Sequence, residues 1–211
     1  MLALKRLWRS LFDVRPGEYA KTGLMALYLM LVLFAYYILK PVSRALFLNS
    51  FDIDKLPWLY ILIASIGGFL TYFYTKLALR SSLSKAVNLA NIFCIAVLCL
   101  FWWLIQLRMS WVIYAFNVWV SLFSIMLVSQ GWLVAANVFD SREAKRLYGI
   151  LGVGSVIGAA FGGQFTAIMV YYVGTTNLVL ASAVMVALGV GLFAYSMVKL
   201  RPVETAPAAS G

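Results

Sequence analysis

Six apolar runs, separated by short polar connections, leave this chain few ways to fold. They read as residues 22–48, 57–79, 86–107, 111–139, 147–173 and 177–198. Roughly 20 apolar residues carry a helix across ~30 Å of hydrocarbon. No water is present there to satisfy free backbone N–H and C=O groups, so only helices or closed barrels are open to such segments. None of the runs alternates apolar and polar residues as a barrel strand does. The expected class is therefore an all-α membrane protein, with six transmembrane helices over residues 22–199. Composition agrees, because a chain 64% hydrophobic and 11% charged lies outside the soluble globular range. The first run is too long for a cleavable signal peptide, and no small-residue cleavage site follows it.

The formal charge of +10 is unevenly placed. Lys76, Arg80 and Lys85 flank the second connection, Arg142, Lys145 and Arg146 the fourth, and Lys199 and Arg201 follow the last run. The first, third and fifth connections hold only Lys55 and Arg108. Positive loops face the cytoplasm, so both termini are expected there, in a cell's inner membrane. The lipid bilayer accounts for the basic excess, and no nucleic-acid partner is needed. Residues 1–21 place Lys5, Arg6, Arg9, Arg15 and Lys21 among Leu2, Leu4, Leu7, Trp8, Leu11 and Phe12, a pattern that suits a basic amphipathic helix on an anionic surface. Residues 200–211 are rich in Pro, Ala and Ser and are expected to be a disordered cytoplasmic tail.

Chemistry-bearing residues are scarce. The chain has no histidine, and all seven acids lie outside or at the ends of the runs, which argues against a metal centre. Cys94 and Cys99 read as small buried residues. There is no nucleophile–base pair and no phosphate-cradling Gly-x-x-x-x-Gly-Lys-Ser/Thr, so neither an enzyme nor a cofactor is expected.

The exception is Tyr36-Tyr37-Ile38-Leu39-Lys40-Pro41-Val42-Ser43-Arg44. A charge at bilayer depth costs a few kcal/mol or more and marks a functional site by default. Lys40 and Arg44, four residues apart, share a helix face with Tyr36 one turn earlier. Pro41 removes a backbone donor and favours a kink between the cations. An aromatic and two cations on one surface suit an anion carrying a flat group. The plainer reading starts from Gly23 to Leu39, about 25 Å of apolar helix, which leaves Lys40 near the outer interface, free to snorkel.

Other polar and small residues fall at helical spacing. In the fourth run Asn117, Ser121 and Ser124 share one face and read as interhelical hydrogen-bonding groups, while Gln130 and Asn137 lie nearly opposite. Asn88 and Asn91 share a face of the third run. Gly154, Gly158 and Gly162 form two consecutive small-xxx-small steps, a groove for close helix packing. Gly67-Gly68 and Gly189-Val190-Gly191 are weaker examples.

The connection between the fourth and fifth runs reads Gln130-Gly131-Trp132 through Asn137, Asp140, Arg142, Glu143, Ala144-Lys145-Arg146 and Tyr148-Gly149. Asp140 and Glu143 have capping-box spacing and predict a helix start at the membrane surface. Trp132, Asn137, Ala144-Lys145-Arg146 and Tyr148, followed by a Gly-rich helix, resemble the ATP/ADP translocase (nucleotide transporter) family. The stretch from Tyr37 to Phe47 is similar to that family's first-span Tyr-x-Leu-Arg-x-x-Lys segment. The resemblance implies a major-facilitator-like fold that binds ATP and exchanges nucleotides. It also implies a half built of two inverted three-helix repeats. Two positions depart from it: the family's first-span lysine falls on Ser43, with Arg44 next to it, and its acid at the end of the fourth span falls on Asn137.

The family has twelve spans, so six correspond to its N-terminal half. The substrate site would then need a second six-helix half, from the same precursor, a partner chain or another copy. On this reading Lys40 and Arg44 hold phosphate oxygens, Tyr36 or Tyr37 stacks on a base, and Gln130 and Asn137 add hydrogen bonds. Arg142, Glu143, Lys145 and Arg146 form a cytoplasmic gate or turn. The substrate would be a nucleotide or other phosphorylated anion moved by antiport. The alternatives are a transporter of another organic anion, such as a sugar phosphate, and a membrane anchor or sensory domain that moves nothing.

Overall fold

The computed structural model describes residues 14–15, 17–80 and 83–199. The expected amphipathic N-terminal segment (apart from 14–15 and 17–21) and the tail 200–211 lie outside the described residues. The remainder is helical: α1 Tyr19–Ser50, α2 Leu56–Arg80, α3 Leu83–Ile105, α4 Ser110–Val138, α5 Ser141–Val173 and α6 Asn177–Lys199. A 3-10 turn, Ile53–Lys55, joins α1 to α2, and no strand occurs among the described residues. Each apolar run coincides with one helix. α3 stops two residues short of expectation, in a turn where Arg108 takes a φ of 53°. Among the described residues, five helices are long and apolar enough to cross a membrane: α1, α3, α4, α5 and α6. The chain is an all-α, multi-pass membrane protein.

α1 is the hub. It packs on α4, α5 and α6; α4 packs on α1, α2 and α3; α3 also meets α6, α5 meets α6, and α2 meets α3. This is why the buried residues of α1 cover more than one stripe, with Leu29, Ala35, Ile38 and Leu39 all essentially inaccessible. α1 runs unbroken through Pro41 rather than ending there. The proline is exposed, so its ring points away from the packed faces. α2 is held most narrowly. Leu59, Ile63 and Gly67 are buried, while Trp58, Ile61, Leu62 and Phe69 around them are exposed as lipid-facing side chains are.

The α1–α5 contact is the tightest in the molecule. A Cβ placed on Gly158 would lie 2.1 Å from the Met30 carbonyl oxygen, and one on Gly162 would lie 2.5 Å from that of Phe34. The corresponding distance from Gly154 to the Ala26 oxygen is 3.0 Å. Both partner series advance four residues at a time and in the same direction, so i±4 ridges interdigitate between parallel helices. The glycines are a packing device, as their spacing predicts. Ser182 Oγ on α6 donates to the Ala35 carbonyl at 2.9 Å, tying α6 to the same hub.

Ion pairs fasten one end of this contact. Lys21 meets Glu143 at 2.8 Å, and Arg146 meets Glu18 at 2.9 Å, so salt bridges join the starts of α1 and α5. α5 begins at Ser141 with the predicted capping box, in which the Asp140 N–H donates to the Glu143 carboxylate at 2.9 Å. The Lys21 ammonium also lies 4.9 Å from the Phe139 ring. The Arg15 backbone N–H donates to Glu18 at 3.0 Å. That bond, then the Arg146 guanidinium, hold the Glu18 carboxyl below its ordinary pKa despite partial burial. This end of the bundle is called the basic end below.

One expectation for α3 is corrected. Cys94 is buried, but Cys99 is exposed. Five residues turn a helix by about 500°, and α3 is covered on one side only, so the second thiol points outward.

Candidate functional site

At the end of the bundle away from the basic end, α1, α2 and α4 diverge around a cleft of about 320 Å3. One wall is α1, which contributes Tyr36, Lys40, Ser43 and Arg44; α2 closes the side with Tyr60 and Ile63. The opposite wall is α4, with Asn117, Ser121 and Ser124 among Val120 and Ile125. The i, i+4 spacing therefore places both cations in one space.

Each cation is supported by aromatic rings, and neither has a carboxylate partner among the described residues. The Lys40 ammonium lies 5.7 Å from the Tyr36 ring and 5.3 Å from the Tyr37 ring, within cation–π range. The two rings meet edge to face at 5.3 Å. The Arg44 guanidinium lies 5.4 Å from the Tyr60 ring, and its Nη2 donates to the Tyr60 hydroxyl. Arg44 Nη1 is buried and has no hydrogen-bond partner among the described residues. A buried guanidinium donor left open is costly unless something else accepts from it.

Depth separates the two residues. α1 is 32 residues long, about 48 Å against roughly 30 Å of hydrocarbon. Arg44 sits about 9 Å below the Ser50 end and Lys40 about 15 Å. Arg44 is therefore near the interface, while Lys40 is a full turn deeper and the cleft continues past it to Tyr36 and Ser124. Snorkelling accounts for part of Arg44 but not for a cleft below it.

The polar stripe of α4 belongs to this site, although its spacing suggested only interhelical bonding. Asn117 does both: its Nδ2 donates to the Ser43 carbonyl at 3.0 Å, and the residue lines the cleft. Ser121 and Ser124 bond within α4, to the carbonyls of Asn117 at 3.0 Å and Ser121 at 2.7 Å. The signal in the sequence was that Lys40–Arg44 lie in the C-terminal half of the first run and this stripe in the N-terminal half of the fourth, which oppositely directed spans bring to the same side.

The structure does not bring Gln130 and Asn137 into the cleft. Gln130 is fully buried in the core next to Gly131, with neither amide atom bonded among the described residues. Asn137 is exposed at the basic end and donates to the Leu133 carbonyl at 2.9 Å. Both lie on the face of α4 turned from the Asn117 stripe, some 20 to 30 Å of helix beyond Asn117. Tyr37 touches Lys40 but turns its Cβ toward α5, where Gly162 makes room for it. Of the four residues expected in the cytoplasmic turn, Glu143 and Arg146 are committed to α1, and Arg142 and Lys145 are exposed.

A larger hollow of about 620 Å3 lies beside Phe51, Trp111, Tyr114 and Trp119. Its lining is almost wholly apolar, with Ser110 and Tyr114 its hydroxyl-bearing residues, so it offers little to orient a polar solute. The cleft is the site with chemistry in it. No protein-family model, curated protein or solved structure matches the chain.

Proposed function

We propose that the chain is one half of a secondary transporter that binds a nucleotide or related phosphorylated anion in the α1–α2–α4 cleft and exchanges it by alternating access with a second half. The observation that carries this reading is Arg44 Nη1, a buried donor without a partner, in a cleft shared with Lys40 and free of carboxylates among the described residues. A phosphate oxygen supplies the missing acceptor and charge. The neighbouring tyrosine rings offer a face to a flat group.

The helix contacts support the architecture that transport requires. Exchanging α1 with α4, α2 with α5 and α3 with α6 returns the same set of touching pairs. Two three-helix repeats would give such a pattern, and helices three apart in an up-and-down chain run in opposite directions, as inverted repeats do. With six spans and the basic end in the cytoplasm, both termini are cytoplasmic and the cleft opens from the outer side. Two stretches similar to the ATP/ADP translocase family favour nucleotides among phosphate esters.

The test is uptake of labelled nucleotide into vesicles loaded with unlabelled nucleotide, with the second half present. Lys40→Gln and Arg44→Gln are each expected to reduce exchange at least tenfold while leaving the melting temperature within a few degrees. Unchanged exchange in both variants removes the cations from the mechanism. A membrane domain that moves nothing predicts no exchange in the parent protein and no thermal shift with any anion.

A further inference from the structure

Donors and acceptors are divided between the two walls of the cleft. The α1 wall offers donors: the Lys40 ammonium and the open Arg44 Nη1. On the α4 wall the hydroxyl protons are already used, because Ser121 and Ser124 donate to backbone carbonyls of their own helix. Asn117 donates one of its two amide N–H groups to the Ser43 carbonyl, and its Oδ1 is an acceptor. A hydroxyl whose proton is engaged still has lone pairs to accept with. The α4 wall is thus richer in acceptors than in donors and faces a cationic one.

Resting on the anion-binding reading above, we infer that the α4 stripe Asn117–Ser121–Ser124 is a specificity wall that selects anions bearing hydroxyl or amine donors on the side remote from the charge. Polyol phosphates, sugar phosphates and nucleoside phosphates have this layout. Inorganic phosphate and simple alkyl phosphates satisfy only the α1 wall, and they leave the serine and asparagine oxygens dehydrated without a partner. A site built to hydrogen-bond a substrate group discriminates strongly against an analogue that lacks it, for this reason. The cleft's position also orients the ligand. The phosphate lies toward Arg44 and the interface, and the donor-bearing part lies deeper, beside Tyr36 and Ser124.

Equilibrium binding to the purified full chain in detergent, read by thermal shift and by competition with one labelled ester, tests this directly. The probes are inorganic phosphate, methyl phosphate, glycerol 3-phosphate, glucose 6-phosphate and AMP at matched charge. The donor-bearing esters are expected to bind at least tenfold tighter than methyl phosphate. Ser121→Ala with Ser124→Ala should weaken those esters about thirtyfold, since two hydrogen bonds near 1 kcal/mol each are lost. Methyl phosphate binding should not change. Lys40→Gln should weaken every probe alike. Equal affinity for methyl phosphate and glycerol 3-phosphate overturns the specificity wall while leaving the anion site standing, as does a serine double variant that weakens both equally. Failure of every anion to bind, with the protein folded by its melting curve, overturns the anion site and this inference together.

Discussion

Gly158→Ala is the sharpest test of how the bundle is held together. The added methyl would lie 2.1 Å from the Met30 carbonyl oxygen, 2.8 Å from its carbon and 2.9 Å from its Cα. All three are backbone atoms of the hub helix, so no rotamer change relieves the clash. Ordinary contact near 3.4 Å requires α1 and α5 to part by roughly 1.3 Å. A gap of half to one ångström already forfeits a quarter to a half of each dispersion contact, and the whole Gly154–Gly162 row would be affected. Overpacking typically costs about 1–3 kcal/mol, and a backbone clash of this depth belongs at or above the top of that range. Alanine's helix preference returns only about 1 kcal/mol. The expected net loss is about 2–3 kcal/mol, some thirty- to a hundred-and-fiftyfold in the unfolding equilibrium. Reversible unfolding in mixed micelles with increasing sodium dodecyl sulfate, followed by tryptophan fluorescence, measures it. The same assay should rank Gly158→Ala above Gly162→Ala and that above Gly154→Ala, following 2.1, 2.5 and 3.0 Å. Gly163→Ala is the control, because nothing lies within 4 Å of its Cβ position. Equal stability of the Gly158 and Gly163 variants would refute backbone contact between α1 and α5.

Four further outcomes follow from the geometry. Gln130→Leu removes two buried, unbonded amide atoms at nearly constant volume and should stabilise the protein by about 1–2 kcal/mol in the same assay; destabilisation would show that the amide has a partner. The Lys21–Glu143 pair is partly shielded, with side chains 24% and 20% exposed, so a double-mutant cycle with Lys21→Gln and Glu143→Gln should give a coupling of about 0.5–1 kcal/mol; zero coupling denies the pair. The carboxyl of Glu18 is depressed in the folded state, so its contribution is present above the unfolded value near ~4.3 and is lost as pH falls through the lower folded value. Melting temperatures of the parent should therefore fall more steeply below about pH 4.3 than those of Glu18→Gln, and superimposable profiles would contradict the bonds from the Arg15 N–H and Arg146 to Glu18. N-Ethylmaleimide, which partitions into the micelle, should label Cys99 faster than the buried Cys94 in mild detergent at raised pH, as peptide mapping would show; equal rates would mean that α3 is rotated from its place here.

The sequence by itself determined the class of fold, the placement of six helices and the start of α5. The reason is local in each case. Apolar runs of bilayer length have no other way to satisfy their backbone, and Asp140 with Glu143 caps whatever helix follows them. It also marked Lys40 and Arg44, because charge is out of place in such a run, and the Gly154–Gly158–Gly162 groove, because small residues at this spacing have few other uses. It could not say which helix fills that groove or which polar residues join the cations. Gln130 and Asn117 look alike along α4, both amides in an apolar helix. Only packing around α1 sends one into the core and the other to the cleft, since the face a residue presents acquires meaning from the neighbour placed against it. The cytoplasmic turn shows the same limit. Its charges were legible as a cluster, but their pairing with Glu18 and Lys21, more than 120 residues away, depends on the glycine row that lets α5 approach α1 closely enough for the two helix starts to meet.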